Sequence, residues 1–293
     1  QDQSRALEQI EAFLADPSAT TFLLEGGAGV GKTFLLGQLL DRVTGTRCVA
    51  APTHKAINVL RRKLDAFKVP WCRGFDDHVW NGTDVITGTT AALLGVAPII
   101  ADEQDAKISF GRTGRGILSK IIPDVTIIDE VSMLGLGDFK ALRRTMKQAG
   151  VKLIAVGDAG QLPPVKMAAI PFDAFPHKAV LRQIVRQAEG SAIVEIAWAI
   201  RDGKPWNRIK GRGVRRVKDV AGAFLEVATA DGAEEDRPVF IAYRNAVVDV
   251  VQEKACRKVY GHGAKAFAPG EVVLAECNLY RAKVLLCANQ DEL

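Results

Sequence analysis

Residues 26–33 read Gly26-Gly27-Ala28-Gly29-Val30-Gly31-Lys32-Thr33, which fits G-x-x-x-x-G-K-[ST], and the segments on either side make this stretch decisive for the fold. Upstream, Thr21 to Leu24 is an apolar run of strand length; downstream, Lys32 to about Arg42 places Phe34, Leu35, Leu39 and Leu40 on a face that can meet a sheet. A strand, a glycine-rich turn and a helix in that order form a phosphate cradle. The glycines let backbone N–H groups point inward, and the helix N-terminus adds a positive end. Gly26, Gly27, Ala28, Gly29, Val30 and Gly31 are therefore expected to wrap a phosphate chain. Lys32 would reach its β and γ phosphates and Thr33 would ligate magnesium, so ATP and Mg2+ are the expected cofactors.

Working outward, Cys48–Ala51, Val125–Ile128, Val151–Val156 and Val239–Tyr243 are further short, near-continuously apolar runs. Such runs belong to parallel strands covered on both faces, and their alternation with helical patterns gives an α/β class. After Ala51, a second helix puts Ile57, Leu60 and Leu64 on one face. Asp129 ends the run Val125-Thr126-Ile127-Ile128 at the carboxyl end of a strand, where ligands bind in open α/β sheets. It is the expected magnesium ligand through water, and Glu130 is the candidate base for an attacking water. Gln161, in Gly157-Asp158-Ala159-Gly160-Gln161, follows another strand, where a neutral amide can sense the γ-phosphate and orient water. Residues from about Val69 to Gly88 read as an irregular insertion, and Val96–Thr113 as two short strands around a polar turn. A helix from about Ser191 to Arg201 closes the first half, and a second α/β segment begins near Arg237.

The whole chain has 293 residues, 48% hydrophobic and 25% charged, which excludes global disorder, collagen and coiled coil. No apolar stretch reaches the roughly 18 residues of a membrane span, so no membrane partner is expected. The net charge of +5 is concentrated in Arg201–Asp219, where 8 Lys or Arg face 2 Asp, leaving 31 basic against 32 acidic residues elsewhere. That stretch, with Trp206 inside it, is either a DNA contact or a solvated hinge. Five scattered cysteines without a C-x-x-C pair, and four histidines without ligand spacing, argue against a disulfide framework or a zinc site and for a reducing, cytoplasmic compartment.

Taken together, these segments resemble the superfamily 1 DNA helicases of the RecD and Dda type. The likeness rests on GGAGVGKT, APTHKAINVL (Ala51–Leu60), TTAALLG (Thr89–Gly95), IIDEVSML (Ile127–Leu134), GDAGQLPPV and LRQIVRQ (Leu181–Gln187), in that order, and it covers most of residues 1–205. It implies RecA-like lobes that close on ATP and move 5′ to 3′ on single-stranded DNA, with single-stranded DNA and junctions with duplex as partners. Three segments follow: a first lobe at 1–203, a basic linker at 204–236 and the start of a second lobe at 237–293.

The resemblance also assigns residues. Gln3 matches the adenine-recognising position, and Arg186 the arginine that approaches the γ-phosphate. Pro52, Thr53, His54 and Lys55 match a DNA-contacting motif, and Thr89 another. The family commonly has Thr-Ile-His-Ser-Leu-Leu where this chain has Thr89-Thr90-Ala91-Ala92-Leu93-Leu94, so that contact is made without the histidine. The hairpin within 96–113 lies where the family carries a duplex-splitting wedge, with Phe110 as a candidate stacking residue; a plain surface hairpin is the other reading. Asn245, in Ala242-Tyr243-Arg244-Asn245, matches a second-lobe phosphate contact. The family's later H-x-S-Q-G and T-R motifs do not occur, so a fragment is expected. A DNA-stimulated switch or loader, a non-enzymatic DNA-binding module and a nucleotide kinase are the rival readings.

Overall fold

The computed structural model describes residues 2–27, 29–74, 82, 84–100, 108–112, 116–183, 191–211, 213–228, 239–261, 279–281 and 284–287. The first elements are α1 (Asp2–Ala15), β1 (Thr21–Gly26), α2 (Lys32–Arg42), β2 (Arg47–Ala51) and α3 (His54–Ala66). Then come β3 (Trp71–Arg73), β4 (Val85–Thr89), α4 (Thr90–Leu94), β5 (Val96–Ile100), β6 (Ile108–Arg112) and α5 (Ile117–Lys120). They are followed by β7 (Val125–Ile128), α6 (Leu136–Gln148), β8 (Lys152–Gly157) and β9 (Lys178–Leu181), and after these by α7 (Ala192–Arg201), α8 (Val220–Ala228), α9 (Asn245–Tyr260), β10 (Leu279–Arg281) and β11 (Val284–Cys287).

Seven strands form one sheet in the order β3-β4-β2-β7-β8-β1-β9. Every neighbouring pair is parallel, so all the carboxyl ends share one edge. Register keeps those ends level: Glu25 lies beside Gly157, Ile128 beside Ala155, and Ala51 beside Thr89. The central strands are largely apolar and buried, as expected of a parallel sheet covered on both faces. Ala6, Leu7, Ile10 and Phe13 are the buried side of α1, and Phe13 packs on Phe22 of β1 with ring centroids 5.4 Å apart. Full burial of a leucine, isoleucine or phenylalanine contributes about 1.5–3 kcal/mol. Ile57, Leu60 and Leu64 anchor α3, as their spacing predicts, and Phe139, Leu142 and Met146 anchor α6.

Three expectations change. Residues 69–88 are not merely an insertion, because β3 and β4 extend the sheet at its edge. A three-residue strand is too short to show a period, and Gly88 in β4 masks its strand character. That glycine makes room for a neighbour, since a Cβ there would stand 2.9 Å from Ile117 Cδ1. Phe34 turns away from the sheet, 48% exposed and edge-on to Phe67, while Leu36 takes the buried place instead. The run Val239–Tyr243 is not a strand. Val239, Ile241 and Tyr243 are 79%, 85% and 98% exposed; among the described residues, no strand pairs with this run to satisfy its backbone.

The hairpin is present, with β5 and β6 antiparallel and Pro98 opposite Phe110. β10 and β11 form a second antiparallel pair. The chain divides into two compact units, residues 1–189 with 276–291, and residues 190–275 with 292–293. α7 falls in the second of these units, where Ala192 packs against Gly211 so closely that a Cβ on the glycine would come within 2.6 Å. In the same unit Phe224 of α8 meets Phe240 at 5.4 Å. Within the basic stretch, Arg216 lies over the Trp206 ring and donates to the Trp206 carbonyl at 3.3 Å, while Arg215 stands 3.8 Å from Glu226. No helix among the described residues is long and apolar enough to cross a membrane.

Candidate nucleotide site

The loop between β1 and α2 uses its glycines as their conformations require. Gly29 and Gly31 take φ values of 79° and 85°, a left-handed region that costs other residues about 1 kcal/mol or more. A Cβ on Gly31 would also run into the Gln3 amide. Lys32 folds back over the loop, its ammonium donating to the carbonyls of Gly26 at 2.6 Å and Gly27 at 2.9 Å. A phosphate chain would take over the ammonium's donors from these two carbonyls. Gln3 reaches the loop from α1 and donates to the Val30 carbonyl at 3.3 Å. Its neighbour Asp2 fixes that approach by accepting from the backbone N–H groups of Arg182 at 3.0 Å and Gln183 at 3.1 Å. Those two bonds hold the Asp2 carboxyl below its ordinary value.

Two strands away, β7 is followed directly by Asp129 and Glu130. The Asp129 N–H donates to Ala50 of β2 at 2.9 Å, and its side chain accepts from the Glu130 N–H at 2.9 Å. Burial pushes the Asp129 carboxyl up and the Glu130 charge adds to that, opposed by the Glu130 N–H and by the charges of Lys63 and Lys32. Glu130 itself has φ 54°, a left-handed conformation rare outside glycine and asparagine, so the turn is strained where its carboxylate is aimed. From the exit of β8, Gln161 donates its amide N–H to Glu130 Oε2 at 3.0 Å and accepts from the Ser132 hydroxyl at 2.9 Å. Asp158 shapes that exit by accepting from the Gly160 N–H at 2.8 Å.

Lys63 of α3 donates to the Thr33 hydroxyl at 3.0 Å, and its charge also bears on Asp129. A cation thus already stands at the Thr33 hydroxyl, within electrostatic reach of the Asp129 carboxylate. These are hard oxygen donors, and they fit a magnesium ion that keeps several of its waters. Among the described residues, no cluster of three or more His, Cys, Asp or Glu offers a different metal site.

Of the expected DNA residues, Pro52, Thr53, His54, Lys55 and Thr89 lie at the same sheet edge, at the ends of β2 and β4. Thr53 caps α3 by accepting from the Ala56 N–H at 3.1 Å, and Thr89 caps α4 by accepting from the Ala92 N–H at 3.1 Å. Each hydroxyl keeps its own proton for another acceptor. Pro52 and His54 are half-buried beside Thr53, and Lys55 is exposed on the first turn. Asn245 opens α9 in the second unit and is exposed. Ala28, Arg186 and the Phe110 side chain lie outside the described residues. The sequence reading missed Ser132, Lys63 and Asp2. Ser132 lies inside the recognised IIDEVSML segment, and Asp2 adjoins Gln3; Lys63, 30 residues from its partner, gave no local signal.

A family described as an AAA domain matches residues 1–217. An uncharacterized protein of Acanthamoeba polyphaga mimivirus is 27% identical over 194 residues, covering 63% of this chain and 38% of that protein. Among solved structures, Bacteroides Pif1 bound to single-stranded DNA matches with a TM-score of 0.53 at 18% identity, covering all of this chain and 62% of that one. A structure of two coordinating Pif1 helicases at forked duplex DNA gives 0.50 at 19% identity, covering all of this chain and 64% of its own. The chain thus spans less than two thirds of these relatives' length. It belongs to the AAA-domain family that matches residues 1–217, and it has the α/β fold of the Pif1 structures.

Proposed function

We propose that the protein is an ATP-dependent DNA helicase that moves 5′ to 3′ on single-stranded DNA and opens duplex ahead of it. The observation that carries this reading is the shared sheet edge. Groups suited to phosphate, magnesium and water follow β1, β7 and β8, and the capped helix starts expected to meet DNA follow the adjoining β2 and β4. Nucleotide and strand are thereby handled by neighbouring loops of one rigid sheet.

In this reading Lys32 exchanges the Gly26 and Gly27 carbonyls for the β and γ phosphates, and the backbone N–H groups of the loop hold the chain. Thr33 and Asp129 would hold Mg2+, which when bound neutralises phosphate charge. Glu130 accepts a proton from the attacking water, and Gln161, tied to Glu130, reports whether the γ-phosphate is present. Gln3 faces the adenine. Arg186 supplies a planar guanidinium to the transition-state charge. Thr53, His54, Lys55 and Thr89 contact the DNA backbone, with Pro52 turning the chain toward them, while Phe110 on the hairpin stacks at the junction and Asn245 adds a phosphate contact from the second unit. The protein would work in the reducing cytoplasm, consistent with cysteines that lack paired spacing.

The test is strand displacement on a duplex with a 5′ tail. ATP-dependent displacement from the 5′-tailed and not the 3′-tailed substrate is expected. ATP hydrolysis by the intact protein without any displacement would replace the helicase by a DNA-stimulated switch or loader. Lys32→Ala should abolish hydrolysis and weaken nucleotide binding at least about tenfold, because a charge-assisted hydrogen bond contributes about 1.5–3 kcal/mol. Full activity in that variant would sink the enzyme reading.

A further inference from the structure

Helix α6 presents Lys140, Arg143, Arg144 and Lys147 at spacings of three and four residues, which places all four on one exposed stripe. They line a cleft of about 430 Å³ whose other wall comes from the segments leading into β1 and β9, including Thr21 and His177. Among the described residues that line it there is no Asp or Glu. The nearby acids are engaged elsewhere, with Asp16 accepting from Ser18 and Asp173 paired with Lys178, or lie on another face of the helix, as Asp138 does two residues before Lys140. The Thr21 hydroxyl is buried with no hydrogen-bond partner. The cleft opens at the amino ends of β1 and β9, the sheet edge opposite the nucleotide loop. Six residues of β1 separate the two edges, about 20 Å at 3.3 Å per residue.

We infer that this cleft binds the sugar-phosphate backbone of duplex DNA, as a site separate from both the nucleotide loop and the single-strand contacts at the opposite edge. Four cations on about 10 Å of helix, at 1.5 Å rise per residue, match a polyanion better than a single small anion. Single-strand sites combine cations with exposed aromatic faces for base stacking. Here the rings in the lining are Phe175, 9% exposed, and His177, half-buried with its ring 6.0 Å from that of Phe13, so neither offers an open face and the chemistry suits phosphate contact without base readout. The inference rests on the DNA reading of the protein and adds a grip on the duplex arm.

The experiment uses the full chain and its quadruple variant Lys140→Gln, Arg143→Gln, Arg144→Gln, Lys147→Gln, with a fluorescent 20-base-pair blunt duplex and a single strand of the same length as probes, titrated over a range of salt. All four side chains are exposed, so the variant should fold and keep its affinity for a fluorescent ATP analogue. The slope of log affinity against log salt for the duplex should fall by about 2 or more, at roughly 0.9 for each phosphate no longer neutralised, with the single-strand slope unchanged. An unchanged duplex slope overturns the proposal, as does a fall confined to the single strand. Cleft-dependent binding of polyglutamate without a cleft-dependent duplex slope would assign the surface to an acidic protein instead. Failure of the unaltered chain to bind any DNA would overturn the DNA reading itself, and this site with it.

Discussion

Gln161 holds two partners at once, donating to Glu130 and accepting from Ser132, so the glutamate cannot turn without moving the exit of β8. Gln161→Ala should therefore lower the maximal ATPase rate about a hundredfold while changing nucleotide affinity by less than about threefold, the pattern of an interaction made chiefly in the transition state. Ser132→Ala, which removes one leg of the same bridge, should cost about tenfold. Steady-state kinetics on the two variants check both. Lys63 makes a different kind of contact. Its ammonium shares the Thr33 oxygen with the position a magnesium ion would take, so Lys63→Met should move the magnesium dependence of nucleotide binding to severalfold lower concentration. An unchanged magnesium titration would show that the ammonium swings away at no cost. Asp129 supplies the pH argument. Its carboxyl is pushed up by burial and by Glu130, so the folded chain binds that proton more tightly than the unfolded one does. The group accordingly costs no stability below its unfolded value of about 3.9, and destabilises the metal-free fold as pH rises past that value and through its raised folded value. Asp129→Asn should raise the melting temperature of the metal-free protein at neutral pH and leave it unchanged near pH 3, as thermal unfolding at the two pH values would show.

At the level of elements, the base of the β5–β6 hairpin depends on Gly116, which caps α5 and lies against the Leu94–Gly95 backbone at the end of α4. Backbone cannot move aside as a flexible side chain can, so Gly116→Ala should destabilise the fold by about 1–3 kcal/mol, measurable by denaturant unfolding. Elements with a strong local pattern were legible in the sequence. The predicted strand Val125–Ile128 and the helix from Lys32 to Arg42 have the bounds expected, because continuous apolarity and helical spacing are local properties. β3 was not legible. Its three residues acquire strand character only by pairing with β4, where Thr87 donates to the Cys72 carbonyl at 2.9 Å and accepts from Arg61 at the same distance. Val239–Tyr243 failed in the opposite sense: its apolar composition imitates a strand, but a strand needs a neighbour.

Across the whole molecule, nucleotide should stabilise the chain measurably. A ligand at a hundred times its dissociation constant adds about 2.7 kcal/mol, which for a domain of this size raises the melting temperature by roughly 5–10 °C. Lys32→Ala should abolish the rise; a rise that survives would place the ligand somewhere other than the loop. The same scale shows why net charge misled. The +5 of the chain pointed to Arg201–Asp219, yet part of that stretch is engaged by Trp206 and Glu226. Among the described residues, a second concentration of basic charge lies on α6, where a one-turn repeat that is ordinary in sequence becomes a basic wall when the entries to β1 and β9 fold against it. The sequence by itself determined the parallel α/β class and the glycine-rich turn between β1 and α2, together with the places of Asp129, Glu130 and Gln161 just after strands, since each depends on a short run of residues. Tertiary structure alone decided that Lys63 reaches Thr33, that Asp2 ties Gln3 to the loop, that β3 and β4 widen the sheet and that α6 walls a cleft. Those contacts join residues tens to more than a hundred positions apart, and no local period records which distant partner a side chain will meet.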